Sequence, residues 1–252
     1  MIEIRNITKS YTKGIPIIED ISFSVHSNEI CCILGKNGVG KSTILNIVAQ
    51  LVRQSSGQIL INNREVSGRA TLVDLGIGIL SQFDNLIDQI TGYQYLEFQC
   101  LIFNIPSAEF KNRIATLAEY FFEHTDDIHK RISGFSSGMR MKLRIMALFI
   151  HRPRILILDE PFSHLDPFSA EKFVALLNEY KTMNHNVVLI SSHDLLYVEK
   201  IASRICVLHD KTMVFNGSID EFTKDKQIHM GQKLFDLVGE KQTSTENIAW
   251  LW

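Results

Sequence analysis

Hydrophobic residues near the start of the chain recur at every second position. Ile21, Phe23 and Val25 alternate with serines, which is the spacing of a β-strand with one face buried. Four later stretches are apolar over nearly their whole length, as is typical of strands buried on both faces of a parallel sheet. These stretches lie at residues 30–34, 75–80, 155–158 and 187–190.

A helical pattern separates the second of these strands from the third. Between residues 86 and 150, apolar residues such as Ile114, Leu117 and Phe121 recur at three- and four-residue intervals. Pro106 and Ser107 interrupt the pattern, and we expect a helix to start there with Ser107 as a candidate N-cap. The sequence therefore predicts an α/β protein in which a helical subdomain, at about 86–150, is inserted between two sheet-forming halves.

The composition narrows the class of protein. The 252 residues suit one domain with subdomains or two small domains, and the formal net charge of −2 gives no indication of nucleic-acid binding. No apolar run approaches the ~18 residues of a membrane span, and the N-terminus lacks a signal-peptide pattern, so we expect any link to a membrane to run through a partner. Cys31, Cys32, Cys100 and Cys206 fit no zinc-ligand spacing and are expected to be reduced thiols, the first two on opposite faces of one strand.

One stretch carries the strongest chemical signal. Residues 35–42, with the sequence GKNGVGKS, match the phosphate-binding loop G-x-x-x-x-G-K-[ST] and stand between a predicted strand and a predicted helix. Glycines let the backbone approach a polyphosphate closely, and successive N–H groups and the helix N-terminus attract its charge. Lys41 is expected to reach the β- and γ-phosphates and Ser42 to bind Mg²⁺. The residues predicted to bind nucleotide in this stretch are Gly35, Asn37, Gly38, Gly40, Lys41, Ser42 and Thr43.

Polar side chains follow three of the buried strands. Asp159 and Glu160 come directly after the strand at 155–158, at the edge where α/β folds place ligands. Asp159 is suited to hold Mg²⁺, and Glu160 to accept a proton from an attacking water. His193 follows the next strand and is expected either to converge with this pair or to be satisfied locally. Gln82 offers a carboxamide to a metal or water, although by itself it is also an ordinary surface glutamine.

A second candidate anion site lies in the segment ISGFSSGM at 132–139. Ser136 and Gly138 stand at a predicted helix start, where free N–H groups and the positive end of the helix dipole favour an anion. The alternative is a simple helix cap. The basic residues that follow are either a basic patch or, as their alternating positions favour, a solvated face with local ion pairs; they are Arg140, Lys142 and Arg144.

Two further features leave alternatives open. Tyr11 lies in a turn-rich stretch between the first two strands, where it is either an exposed ring that stacks on a purine or a half-buried core residue. His124 and His129 lie five residues apart. Because no further ligand stands at a suitable spacing, they favour a solvated helix over a metal site.

In this order, the motifs closely resemble those of ATP-binding cassette (ABC) ATPases over about residues 1–220. The loop at 35–42 resembles the Walker A motif, and ILILDE at 155–160 resembles the Walker B motif. FSSGM at 135–139 resembles the signature motif, whose usual form is L-S-G-G-Q, with departures at three of the five positions. Residues 163–166 are similar to the D-loop, with His164 where alanine or glycine is usual.

The resemblance implies a P-loop NTPase fold with a RecA-like, mostly parallel sheet, an antiparallel β subdomain and the inserted helical subdomain. It implies ATP and Mg²⁺ as cofactors, with Ser42, Gln82 and Asp159 as the metal ligands. Glu160 would polarise the attacking water and His193 would steady the γ-phosphate. By the same resemblance, Gln82 is the Q-loop residue that senses Mg²⁺ and contacts a membrane partner, and Tyr11 is the adenine-stacking aromatic.

The resemblance also implies partners. A second, identical cassette is expected to pair head to tail with the first, so that Ser136 and Gly138 contact the ATP held by the other subunit. A separate membrane permease is expected to hold the protein at the cytoplasmic face of the membrane, and no nucleic acid is expected. Residues 84–98 and the ending of the signature are similar to exporters of drugs, bacteriocins and lantibiotics.

Other ABC proteins remain as alternatives. An importer subunit or a soluble ABC ATPase without a transport role shares the same motifs. A DNA-repair ATPase would need a long heptad insertion, which the roughly ninety residues between Leu45 and Phe135 do not provide. Residues 221–252 are expected to form a C-terminal tail with a short amphipathic helix near Leu234. Its two tryptophans, Trp250 and Trp252, either fold against the domain or contact a partner.

Overall fold

The computed structural model describes residues 1–66, 75–183, 185–223 and 229–239, and these form ten strands and eight α-helices. The strands are β1 (Ile2–Thr12), β2 (Ile15–Val25), β3 (Glu29–Leu34), β4 (Ser56–Ile61), β5 (Arg64–Glu65), β6 (Ile77–Leu80), β7 (Ile155–Asp159), β8 (Val187–Ser191), β9 (Arg204–His209) and β10 (Thr212–Ser218). The helices are α1 (Lys41–Val48), α2 (Gly92–Ile102), α3 (Ser107–Phe121), α4 (Ser137–Ile150), α5 (Pro167–Thr182), α6 (Leu195–Ile201), α7 (Ile219–Phe222) and α8 (Met230–Leu237). Two short 3-10 turns lie at Thr125–His129 and Ile132–Gly134.

A six-stranded sheet forms the centre of the fold, in the order β10-β9-β3-β8-β7-β6. Its strands pair in parallel except for β10, which runs antiparallel to β9 at the edge. The apolar runs at 155–158 in β7 and 187–190 in β8 are explained by this position, because every residue of both strands is buried. The predicted mostly parallel core is therefore confirmed.

Two hydrophobic cores lie on opposite faces of this sheet. On β3, Cys32 belongs to the core shared with the helical segment, and Cys31 belongs to the core shared with α1 and the N-terminal strands. The alternation follows from the period of two along a strand, as the sequence predicted. All four cysteines are buried free thiols.

The N-terminal strands form a separate antiparallel sheet in the order β2-β1-β4-β5. Ile21, Phe23 and Val25 are buried in the second core, so the alternation in β2 marks a strand with one buried face. This sheet carries β2 to the edge of the phosphate-loop region, where Ile18 and Ile17 lie against Gly40. The predicted antiparallel β subdomain is present.

The helical segment stands between two strands that are neighbours in the sheet. β6 ends at Leu80, and its parallel partner β7 begins only at Ile155, with α2, α3 and α4 between them. The predicted limits of the subdomains, at 86–150 and 1–220, remain predictions. The proposed cap at Ser107 is wrong: Pro106 holds the cap position, and its carbonyl accepts hydrogen bonds from the N–H groups of Glu109 and Phe110.

The predicted amphipathic helix near the C-terminus is α8. Met230 is buried in the first core, and Leu234 and Leu237 pack against it. Trp250 and Trp252 lie outside the described residues. Within the described ranges, no helix combines the length and the apolar character needed to cross a membrane.

Candidate nucleotide site

The phosphate loop connects β3 to α1 through tightly packed glycines. Gly40, the residue before α1, has a left-handed φ of 113°, and a β-carbon there would lie 2.4 Å from Cγ2 of Ile18. A β-carbon on Gly35 would lie 2.4 Å from the carbonyl oxygen of Leu208 on β9. Both positions therefore require glycine, one for conformation and packing and the other for close approach. The loop is held between the two sheets at the start of α1.

Lys41 is folded into this loop. Its Nζ donates hydrogen bonds to the carbonyl oxygens of Gly35, at 2.7 Å, and Lys36, at 3.1 Å. The residue is only 6% exposed, and this burial lowers the pKa of the Lys41 ammonium, while the charges of Glu160 and Asp159 act in the opposite direction. The loop carbonyls and the two carboxylates thus keep a partly desolvated cation beside the end of β7.

A cavity of about 440 Å³ opens between the loop and the ends of β7 and β8. A cavity of this volume is in the range that holds a small-molecule ligand. Predicted site residues from four separate stretches of the chain line it together: Asn37, Gly38, Gly40, Lys41, Ser42, Thr43, Gln82, Asp159, Glu160 and His193.

Asp159 ends β7, is buried, and has a hydroxyl as a side-chain partner. Its Oδ1 accepts a hydrogen bond from Oγ of Ser191, the residue opposite it on β8. The same Ser191 accepts from the N–H of Glu160, through its carbonyl oxygen at 3.1 Å and its Oγ at 3.2 Å. This role of Ser191 was not predicted from the sequence. The available signal was a hydroxyl residue closing an otherwise apolar buried strand.

Glu160 and His193 meet at the edge of the sheet. Oε2 of Glu160 lies 2.8 Å from Nδ1 of His193 and accepts the His193 backbone N–H at 3.3 Å. The backbone of Glu160 has a left-handed φ of 50°, which is uncommon for a residue other than glycine. Its carbonyl accepts both Oγ of Ser163, at 2.7 Å, and the Ser163 N–H, at 3.2 Å, which hold the strained turn. The expectation that the two strand ends converge is met by this contact.

Gln82 is positioned by an arginine on α4. Arg144 is 8% exposed, and its Nη2 donates to the carbonyl oxygens of Ser81 and Phe83, on either side of Gln82. The expectation that Arg144 belongs to a solvated face is therefore wrong, because its guanidinium closes the loop that carries Gln82. Arg140 matches the expected pattern, with ion pairs to Asp84 and Asp88.

The candidate second anion site does not line this cavity. Ser136 is exposed at the N-terminus of α4, where its Oγ accepts the backbone N–H of Met139 at 3.2 Å. A β-carbon on Gly138 would lie 3.2 Å from the carbonyl oxygen of His164. Ser136 thus caps α4, and the start of this helix adjoins the turn that follows β7.

Tyr11 also lies apart from the residues that line the cavity. Its ring is 58% exposed, so the alternative of a half-buried core tyrosine is wrong. Nζ of Lys9 stands 4.7 Å from the ring centroid. The tyrosine therefore presents an aromatic face at the end of β1 that is available to solvent.

Oxygen groups in the cavity fit a magnesium ion. Among the described residues, no cluster of three or more histidine, cysteine, aspartate or glutamate side chains could hold a metal, and His129 stacks on Tyr93 instead. Ser42, Asp159 and Gln82, which carry a hydroxyl, a carboxylate and a carboxamide, all line the cavity. One carboxylate with neutral oxygen groups suits Mg²⁺, which takes its other ligands from phosphates and water.

A family model described as ABC transporter matches residues 18–163, more than half of the chain. The chain belongs to the ABC transporter family. Within that family it is an ATP-binding subunit, and its enzyme class is that of the ABC ATPases. The resemblance in its Walker motifs is thereby confirmed at the level of the family.

Relatives of this ABC cassette include both exporters and importers. It is 32% identical over 220 residues to the Nod factor export ATP-binding protein I of Rhizobium meliloti, covering 86% of this chain and 64% of that one. It is 28% identical to the phosphonates import ATP-binding protein PhnC 2 of Haloarcula marismortui, covering 94% of this chain and 92% of that one.

A solved cassette supports the fold. The dimeric post-hydrolysis structure of the ATP-binding cassette MJ0796, bound to ADP and Pi, superposes with a TM-score of 0.78 at 23% identity, covering 87% of this chain and 99% of that one. At this identity the likeness establishes the P-loop NTPase fold of the cassette.

Proposed function

We propose that this cassette hydrolyses MgATP in the 440 Å³ cavity, within a head-to-tail pair of cassettes, and drives export through a separate membrane chain. One observation carries the proposal: the Glu160–His193 pair faces Lys41 and Ser42 across a single cavity. A phosphate chain bound by the loop would lie directly before a hydrogen-bonded carboxylate and imidazole.

The loop residues bind and orient the nucleotide. Lys41 exchanges its hydrogen bonds to loop carbonyls for bonds to the β- and γ-phosphates, and the N–H groups at the start of α1 face the same charge. Ser42, Asp159 and Gln82 would hold Mg²⁺, which when bound neutralises developing charge on the phosphates. The exposed ring of Tyr11 is offered as the surface on which adenine stacks.

Glu160 accepts the proton of the attacking water. His193 holds Oε2 of its carboxylate, and the turn through Ser163 fixes its backbone, so the carboxylate is oriented before substrate binds. The imidazole stands beside the same oxygen and can donate to the terminal phosphate. Orientation and charge stabilisation are the main contributions a protein makes to phosphoryl transfer.

A second cassette completes the site. Ser136 and the start of α4 are exposed and lie outside their own cavity, which supports a role on the ATP of another copy. The dimeric state of MJ0796 supports the same arrangement.

A groove beside Gln82 is proposed as the docking surface for the membrane chain. It has a volume of about 310 Å³ and lies along Ser81, Phe103, Arg144 and His151, and the neighbouring Phe83 is 79% exposed. An exposed aromatic beside a groove of mixed polar and apolar lining favours contact with a partner. Docking there would place the cassette on the cytoplasmic face of the membrane and link the partner to the Gln82 loop.

Export is placed first because residues 84–98 and the ending of the signature are similar to those of exporters. The chain is 32% identical to a Nod factor export protein and 28% identical to a phosphonates import protein. The second relative keeps import as the second candidate function.

The test uses the chain together with its membrane chain. Tagged protein is captured from detergent-solubilised membranes, and the co-purifying polytopic chain is reconstituted with it in liposomes, cassettes outward. We expect cell extract supplied on the cassette side to stimulate ATPase activity, and Lys41→Ala to abolish the activity. Stimulation of ATPase activity only by extract inside the liposomes would establish import. If no membrane chain co-purifies and the protein is fully active as an ATPase by itself, the transport proposal is refuted.

A further inference from the structure

His164 is a second histidine that lines the cavity. It lies in the turn between β7 and α5 and lines the cavity with Lys41, Ser42 and His193. Within the described ranges, no hydrogen bond or ion pair engages its imidazole. The catalytic scheme above leaves this side chain without a role.

The backbone around His164 is fixed on both sides. Ser163 is bound to the carbonyl of Glu160, and Asp166 caps α5 by accepting the N–H of Ser169 at 2.9 Å. His164 itself has a left-handed φ of 67°, and its carbonyl oxygen lies against Gly138 at the start of α4. An exposed imidazole is therefore carried at the wall of the cavity by a turn that is hydrogen-bonded on both sides.

The neighbours of His164 indicate which part of a nucleotide it would meet. The turn continues directly from Glu160, whose carboxylate is hydrogen-bonded to His193. Lys41, which lines the same cavity, supplies positive charge to it. An imidazole N–H is a suitable donor to a phosphate oxygen, and hydrogen bonds to charged groups are stronger than neutral ones.

We propose that His164 is a phosphate ligand of its own subunit, which binds the terminal phosphate of ATP and distinguishes ATP from ADP. This inference rests on the proposed function of the cavity. It predicts that loss of the imidazole weakens binding of a triphosphate about tenfold, as expected for one hydrogen bond to a charged group. ADP, which lacks that phosphate, should bind as before.

Glycine and asparagine are the informative replacements. His164→Gly removes the side chain while accommodating the left-handed backbone, and His164→Asn tolerates the same backbone while restoring an N–H donor. His185→Gly is the matched control, because His185 is an exposed histidine with a φ of 59° in the turn before β8. All four proteins, including wild type, are compared as monomers, verified by light scattering.

The measurement is the dissociation constant of a non-hydrolysable ATP analogue and of ADP, by titration calorimetry. We expect His164→Gly to weaken the analogue about tenfold with ADP unchanged within twofold, His164→Asn to recover most of the loss, and His185→Gly to match wild type. Equal effects on both nucleotides, no effect in the monomer, or no recovery by asparagine would overturn the proposal. Lys41→Ala separates failure of the His164 role from failure of the proposed nucleotide site. If this variant binds both nucleotides normally, the cavity is not the nucleotide site.

Discussion

The imidazole of His193 lies 2.8 Å from the carboxylate of Glu160, although 33 positions separate them in the chain. The contact forms because β7 and β8 are parallel neighbours, so that residues following both strands emerge at one edge. A single carboxylate oxygen also receives the His193 backbone N–H. The arrangement fixes the direction of the carboxylate toward the phosphate loop.

The first prediction concerns the charge of that carboxylate. Glu160→Gln should keep the shape and the hydrogen bond to His193 while removing the proton acceptor, so ATP binding persists and turnover falls by about 100-fold or more. Phosphate release measures turnover, and light scattering with ATP should reveal a trapped dimer. Glu199→Gln, an exposed glutamate on α6, is the control. Near-normal turnover in Glu160→Gln would disprove the general-base role.

The second prediction concerns Arg144. Arg144→Lys should lower the free energy of unfolding by about 1–3 kcal/mol, because an ammonium lacks the planar fork that bridges Ser81 and Phe83, and a hydrogen bond from a charged donor is lost. The freed loop should also raise the Mg²⁺ concentration needed for half-maximal ATPase activity, since Gln82 lies between the two carbonyls. Urea denaturation and Mg²⁺ titration measure the two effects. Arg131→Lys, at an exposed arginine, should change neither, and an unaltered Mg²⁺ dependence in Arg144→Lys would separate Arg144 from Gln82.

The sequence alone predicted those parts of the site whose residues are close together along the chain. The phosphate loop needs only its own glycines, Lys41 and the strand and helix beside it. The carboxylates after β7 were predictable because an apolar run of strand length ends directly before them. The parallel arrangement of buried strands then brought His193 to the same edge.

Other features depend on distant partners that a local pattern does not contain. In the sequence, Arg144 is one of three basic residues at alternating positions. The carbonyl oxygens that its guanidinium binds belong to residues 61 and 63 positions earlier in the chain. Ser191 can donate a hydrogen bond to Asp159 only because the register of β7 with β8 places the two residues opposite each other. At the start of α3, two neighbouring residues could hold the N-cap position. Pro106 holds it, with the extended conformation of a cap, and Ser107 is therefore the first residue of the helix.

The third prediction concerns the cap of α5. Hydrogen bonds from the Ser169 hydroxyl and N–H lower the pKa of Asp166 to about 2. A depressed carboxylate pKa stabilises the fold above the unfolded-state pKa, near 4, and the contribution is lost as the pH falls toward 2. Asp166→Ala should cost about 1 kcal/mol at pH 7. Asp166→Asn, which can still cap, should cost less.

Denaturation of Asp166→Ala and wild type from pH 7 to pH 3 measures this effect. The stability difference should be constant down to about pH 4 and narrow below it, because the ionised form of the cap is progressively lost. A difference that stays constant to pH 3 would show that the charge of Asp166 does not contribute.

The last prediction concerns His151, which lies in the groove beside Ser81 and stacks on Phe103 with ring centroids 3.7 Å apart and planes 3° from parallel. Burial lowers the pKa of His151 to about 4. Between the ordinary histidine pKa of about 6.5 and this value, the unfolded chain binds a proton that the folded chain does not, so acidification destabilises the fold.

Replacing His151 with phenylalanine should keep the stacking on Phe103 and remove the titration. The stability of the variant relative to wild type should therefore rise from pH 7 to pH 4, by at most about 3 kcal/mol. Urea denaturation at pH 7, 6 and 5 tests this, with the exposed His124→Phe as control. Parallel pH profiles for wild type and His151→Phe would mean that the folded protein accepts the proton freely, and the groove would then be an aqueous surface that favours polar partners.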